Sequence, residues 1–340
     1  MRHARRGVQV ELLVNGPHAD KCVSRLASED QFELLLAAGV RVWTYQPTML
    51  HAKITLVDDL VASTGSANLN ARSMVLDEEL NLVMFDPRIV EVLGAHFDED
   101  LERAQEIHLD EWSRRGLRQK GLEALPGFLA RVNNWAEVAH PFYDEDVDLF
   151  PLRDEAGTSD VQIVRGDAET GWGDIATLSR VLLGFARHRV RISADYLAPD
   201  PAALDALCAV ARRGVKVEVL RPGPHARKRL PQVVSRSYYD PLLEAGVRVW
   251  EYQPTAFETK VITVDGEVAN IGSVDFDAGS LTLNDEVTVV VFDPTVVAVL
   301  DEQFDADLER AEPVELADWA GRDRRQRAVE ATTGFFARHL

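Results

Sequence analysis

Cysteine is nearly absent from this sequence: among 340 residues only Cys22 and Cys208 carry a thiol. They form no CxxC pair, which argues against a disulfide framework or a cysteine zinc site and leaves reduced, structural thiols as the expectation. Long apolar runs are missing as well. No stretch approaches the roughly 18 apolar residues of a membrane span, and the Arg-bearing start lacks the apolar core of a signal peptide. The chain as given therefore reads as cytoplasmic, with a peripheral place on a membrane as the alternative. Positive charge is scarce, with 37 Lys and Arg against 56 Asp and Glu, for a net charge of −19. A surface of that sign repels polyanions, which sets nucleic acid aside as a partner except at a local basic patch.

What the sequence does contain is itself, twice. At an offset of 207 residues, Ala4 to Ala104 matches Ala211 to Ala311 with 51 of 101 positions identical and no slip in register. The period is too long for a solenoid and about right for one globular domain, so the chain reads as a tandem duplication. The stretch from Ala136 to Asp160 is rich in Asp, Glu and Pro without sustained periodicity and reads as the linker. Domains are expected over residues 1–150 and 151–340.

Hydrophobic periodicity gives strand, helix, strand, helix over Val161–Val164, Ile175–Phe185, Val190–Ala194 and Ala202–Arg212. Both halves then predict a strand at Val8–Val14 (Val215–Arg221), a short helix before Gly39, a strand through Trp43, and strands at Lys53–Val57 and Val61–Thr64. Asp86-Pro87 opens a helix with Val90, Leu93, Phe97 and Leu101 on one face, aspartate as its cap and proline in its first turn. The fold class is α/β, with a mixed central sheet flanked by helices in each half. Met1 aligns with Cys208, so the first half has no counterpart to Val161–Leu207. It is expected to lack its N-terminal strands and helices and to expose a strand edge, unless the chain starts upstream or something else covers that edge.

The residues that carry chemistry are spaced His51-x-Lys53-x4-Asp58-x6-Gly65-Ser66-x-Asn68, with Glu79 further on. This composite resembles the HxKxxxxDxxxxxxGSxN motif of the phospholipase D superfamily. Its surroundings, Ala38 to Pro47, Met49 to Lys53, Gly65 to Ser73 and Glu111-Trp112, resemble the C-terminal repeat of bacterial cardiolipin synthases, and so does the second half. The resemblance implies two tandem phospholipase D-like domains whose motifs face each other across a pseudo-two-fold. It implies transfer or hydrolysis at phospholipid phosphodiesters, with phosphatidylglycerol as a model substrate.

Residue chemistry accommodates that reading. A neutral imidazole can attack phosphorus near pH 7, which makes His51 the candidate nucleophile of a phosphohistidine intermediate. Lys53, Ser66 and Asn68 supply fixed donors for the phosphoryl oxygens, and the scheme calls for no metal or cofactor. Glu79 is expected to hold the other imidazole nitrogen, as the downstream carboxylate does in the family, and Asp58 to act as a scaffold within the catalytic set. In the second motif Lys260, Asp265, Ser273 and Glu286 keep their places. Histidine has become Glu258 there, and asparagine has become Asp275, so two carboxylates stand where a phosphate would bind. Glu258 can replace histidine as an acid only if its pKa is raised by roughly two units or more. A decayed second site is the plainer reading.

Three functions remain open on these grounds: a cardiolipin synthase-like phosphatidyltransferase or phospholipase, a phosphodiesterase or nuclease of the same superfamily, and a catalytically degenerate relative. One intact motif also allows two copies of His51 to meet across a symmetric homodimer. Arg114, Arg115, Arg118 and Lys120, followed by apolar residues through Trp135, suit either a membrane-facing amphipathic helix or a solvated face. His18 and His225, in duplicated Gly-Pro-His-Ala turns, and Trp43 and Trp250 have no assigned ligand.

Overall fold

The computed structural model describes residues 1, 3–19, 22–70, 73, 77–115, 159–166, 174–226, 229–277 and 284–323. The boundary near Phe150, the linker up to residue 158 and the basic stretch beyond Arg115 lie outside the described residues. The described chain falls into two compact units. One comprises Met1–His51, Leu56–Ala62 and 85–115; the other comprises Ala52–Thr55, Ser63–Met84 and residues from 159 onward.

In the larger unit a mixed sheet runs in the order Ala311–Pro313, Arg248–Tyr252, Lys216–Pro222, Arg189–Ser193, Val261–Val264, Val268–Gly272 and Asn284–Phe292. Asp160–Gly166 pairs antiparallel onto the Asn284–Phe292 strand. The strands Arg189–Ser193, Lys216–Pro222 and Arg248–Tyr252 are parallel, whereas the joins through Val261–Val264 and beyond are antiparallel. Several strands are buried on both faces, which explains why Val261 to Val264 and Val287 to Val291 read as nearly continuous apolar runs rather than alternating ones. The nine-residue Asn284–Phe292 strand and its counterpart Asn81–Met84 were not foreseen, because a short apolar run carries no period of its own.

Helices Asp174–Phe185 and Pro201–Arg212 contribute Leu183 and Leu207 to the main core beside Ile192, Val219 and Leu242. Each such leucine, fully buried, contributes about 2 to 3 kcal/mol relative to exposure. Pro201 suits the first turn of its helix, and the Asp200 side chain accepts from the Ala203 N–H at 2.9 Å. The expected Asp86 cap is present, accepting from the Arg88 N–H, and Val90 and Leu93 are buried beneath it. Cys208 is an unpaired, buried thiol in this core, its pKa raised first by burial.

The smaller unit pairs Glu11–Asn15 parallel with Arg41–Tyr45, and Arg41–Tyr45 antiparallel with Ala104–Ile107. Helix Cys22–Ala37, longer than the short helix expected, lays Phe32 over Val40 and Val42, with Trp112 tilted against Phe32 at 5.3 Å. Its counterpart in the second half is broken into Arg229–Arg236 and Tyr239–Glu244. Pro241 has no N–H to continue a helix but fits the start of a new one.

One strand accounts for the difference between the halves. In the second half Arg189–Ser193 sits between Lys216–Pro222 and Val261–Val264 and joins the parallel strands to the antiparallel ones. The sequence given starts beyond the positions equivalent to that strand in the first half. Its strands therefore form two separate sheets, Glu11–Asn15 with its partners and a set of Ile54–Val57, Val61–Gly65 and Asn81–Met84. Glu11–Asn15 is left as an edge of its sheet, as expected. Among the described residues, no helix is long and apolar enough to cross a membrane.

Candidate active site

The site belongs to the larger unit and draws residues from both repeats. Its frame is a parallel bridge between Glu78 and Phe257. The Glu78 N–H donates to the Ala256 carbonyl and the Glu258 N–H to the Glu78 carbonyl, both at 2.9 Å. Asp285, the repeat counterpart of Glu78, accepts at its carbonyl from the Ala52 N–H at 3.1 Å. The two motifs thus exchange backbone bonds in related ways. Glu78 is held by its side chain too, Oε1 accepting from the Tyr252 hydroxyl at 2.7 Å and from Arg310 at 2.8 Å. Beneath it Tyr252 and Phe257, both fully buried, pack at 5.1 Å.

The Gly-Ser steps brace this frame. A Cβ on Gly65 would meet the Leu80 carbonyl oxygen at 2.2 Å, and one on Gly272 would meet that of Val287 at 2.5 Å, so only glycine allows the approach. The Ser66 and Ser273 amides then donate to those same carbonyls at 3.0 and 3.1 Å. The Ser66 hydroxyl accepts from the Leu80 N–H at 3.0 Å, and the Ser273 hydroxyl donates to Glu286. Expected as phosphate donors, these serines are engaged with their own strands. The duplicated Gly-Pro-His-Ala turns have the same cause, since a Cβ on Gly16 or Gly223 would strike the carbonyl of Tyr45 or Tyr252. His18 and His225 stand exposed beside them.

Charge gathers within this frame. Lys260 is 6 % exposed, with Nζ donating to the Glu258 carbonyl at 3.2 Å and lying 3.4 Å from Asp275 Oδ1. Burial pulls its pKa down, but the carboxylates of Asp275, Asp195, Glu258 and Glu79 outweigh this and raise it above the usual lysine range. Lys53 goes the other way. Burial drives it down to about 8, with Lys260 adding to the shift and Glu286, Asp275 and Glu79 opposing it. Glu79 is raised, first by burial and then by the neighbouring Glu258, against the hydroxyls of Ser66 and Ser73 and the charge of Lys260. Both Glu79 oxygens are shut off from solvent and close no hydrogen bond of ordinary geometry among the described residues.

Lys53 and Glu79 of the first repeat are therefore within electrostatic reach of Glu258, Lys260, Asp275 and Glu286 of the second. His51 is half-buried at the end of the smaller unit, and Asn68 is half-buried in the loop after Ser66. Asp265 is not with this group. Lys260 precedes the Val261–Val264 strand and Asp265 follows it, so the two lie at opposite ends. Asp265 has φ +55 and accepts from the amides of Arg187, His188 and Arg189 at 2.7–2.8 Å. It pins the start of the joining strand rather than touching phosphate. Asp58 has φ +50 and lies exposed. In the second repeat the motif aspartate is thus a residue of the fold, which corrects the place of Asp265 in the expected catalytic set.

Asp195 was missed because it follows the joining strand, in the stretch with no first-half copy against which to notice it. Glu78 was missed because its neighbour Glu79 carried the motif.

A family profile described as "Cardiolipin synthase, PLD-like domain" matches residues 1–101 and 180–308. The chain is 28% identical to a "Cardiolipin synthase" of Geobacillus thermodenitrificans, over 98% of this chain and 62% of that protein. It is 34% identical to "Cardiolipin synthase 2" of Bacillus anthracis, over 51% of this chain and 33% of that one. It thus spans about three fifths of the length of the full-span relatives. The crystal structure of a phosphatidylserine synthase from Haemophilus influenzae superposes over 99% of this chain and 83% of its own, with TM-score 0.66 and 12% identity, a likeness of fold.

Proposed function

The chain belongs to the phospholipase D superfamily, in its family of cardiolipin synthase PLD-like domains, and from that premise we propose that it is a phosphatidyltransferase or phospholipase acting on phospholipid phosphodiesters at a membrane surface. His51 attacks the phosphorus, the bond to the leaving alcohol breaks with its electron pair going to oxygen, and a phosphohistidine forms. A second alcohol, or water, then attacks the phosphorus and returns the electron pair of the P–N bond to His51. Lys53 and Lys260 balance charge on the phosphoryl oxygens, assisted by Asn68.

The observation that carries this reading is the pairing of lysines. One from each repeat sits in the same buried cluster, close enough that the charge of Lys260 helps lower the pKa of Lys53, as a two-motif phosphate site requires. The Lys260–Asp275 contact favours a second reading, a degenerate relative in which the second lysine is already neutralised. Turnover of labelled phosphatidylglycerol in mixed micelles, with His51→Ala alongside and products identified by mass spectrometry, separates them. Glycerol with cardiolipin means transfer, and phosphatidic acid means hydrolysis. A folded wild type that leaves the lipid untouched overturns the proposal and leaves the degenerate reading.

A further inference from the structure

The second repeat has no histidine to protonate the leaving alcohol, yet the frame places two carboxyls together at the position where one is missing. In a parallel pairing, residues one step beyond a bridge lie side by side with their side chains on one face. The Glu78–Phe257 bridge therefore sets Glu79 next to Glu258. Glu258 is 7 % exposed, and both Glu79 oxygens are closed to solvent. Lys53, Lys260 and the hydroxyls of Ser66 and Ser73 act on or respond to this pair, and the carboxylates of Asp195, Asp275 and Glu286 act in turn on the two lysines. Glu78 and Arg310, on the opposite side of the bridge, neutralise each other at 2.8 Å. Two ammonium groups thus face five carboxyls before any phosphate arrives, and mutual repulsion in a dry cluster is relieved by retaining a proton.

We propose that Glu79 and Glu258 form a carboxyl pair that shares one proton, and that this proton is delivered to the leaving alcohol oxygen in place of a second histidine. The inference rests on the phosphatidyltransferase reading for its catalytic half. As the P–O bond breaks, the alkoxide takes the shared proton and the pair becomes doubly ionised. The incoming alcohol or water gives its proton back to the pair as it attacks the phosphohistidine, so the pair ends the cycle as it began. Burial and the neighbouring Glu258 both raise Glu79, which agrees with a retained proton. Glu79 is then shared between repeats rather than reserved for His51.

Two measurements test this. Infrared difference spectra of wild type against each variant at pH 7 should show the C=O stretch of a protonated carboxyl that is lost in both Glu79→Gln and Glu258→Gln. Its absence from wild type overturns the shared proton. Turnover should be compared on a phospholipid and on a p-nitrophenyl phosphodiester, whose leaving group departs without protonation. Glu258→Gln should lose about 100-fold or more on the lipid and much less on the nitrophenyl ester. Glu258→His should recover lipid turnover with a shifted pH profile, which also guards against a Gln variant that merely misfolds. Equal losses on both substrates overturn the acid role. A wild type inactive on both, but with the carboxyl band present, overturns the transferase reading and the acid role with it while the shared proton stands.

Discussion

The Tyr252 hydroxyl donates to Glu78 Oε1 at 2.7 Å, joining residues 174 positions apart. Arg310 reaches the same oxygen and stacks over the Tyr252 ring at 4.9 Å. These side chains tie the first repeat's Glu78 into the second, and they hold the segment on which Glu79 sits. Tyr252→Phe removes one buried donor to an ionised acceptor and should cost about 1.5 to 3 kcal/mol in urea denaturation. Arg310→Ala should cost less, since that arginine is half exposed. In a double-mutant cycle with Glu78→Gln, Tyr252→Phe should be non-additive by 0.5 kcal/mol or more, roughly the floor for residues in contact. Additive losses would mean that the bond contributes nothing to the frame.

Asp58 and Asp265 occupy equivalent left-handed turns, but only Asp265 has amides to hold. Alanine at either φ costs about 1 kcal/mol of backbone strain. Asp265→Ala loses in addition a carboxylate bonded to three N–H groups, so about 3 kcal/mol is expected there against about 1 for Asp58→Ala. Burial raises the Asp265 carboxyl, but those amides prevail and hold it below its ordinary value. Its contribution is therefore present above the unfolded pKa of about 3.9 and is lost as pH falls through the lower folded value. Equal effects from the two substitutions would return Asp265 to the site.

Much of this arrangement was legible in the residues. The repeat gave the paired strands, and Asp86-Pro87 with the apolar face behind it gave a capped helix, because local capping chemistry does not depend on distant contacts. The fold brings together Lys53, Glu79, Glu258, Lys260, Asp275 and Glu286, all of them residues that the motif spacing had named. That spacing did not show that Asp265 lies at the far end of its strand from Lys260, because a constant spacing records common descent and not which end of a strand a residue occupies. Asp195 and the Glu78–Tyr252 bond arise only from tertiary pairing, and no window of sequence contains them.

Asp275→Asn restores the residue found at this position in the first motif, Asn68. Asp275 Oδ1 lies 3.4 Å from Lys260 Nζ and competes with any phosphate for that charge. Removing the anion should tighten binding of inorganic phosphate by about tenfold, equivalent to roughly 1.4 kcal/mol, as measured by calorimetry. Stability should fall at the same time, because a buried ammonium has lost its closest carboxylate. Unchanged or weaker phosphate binding would show that Lys260 does not serve the anion.

Lys53 sets the alkaline limit of the site. With burial holding it down to about 8, its charge disappears over the range in which an ordinary lysine remains protonated. Free enzyme at pH 7 keeps about nine tenths of that charge and at pH 9 about one tenth. Lys260, raised by its carboxylates, stays charged throughout. The profile of kcat/KM should therefore fall above pH 8, approaching tenfold per unit. A bound phosphodiester favours the ammonium form, so the corresponding limb in kcat should lie at higher pH. Lys53→Arg, whose guanidinium does not titrate in this range, should be slower but should lack the limb altogether. A limb that persists unchanged in that variant would belong to another group, and Lys53 would then not be the cation that phosphate meets first.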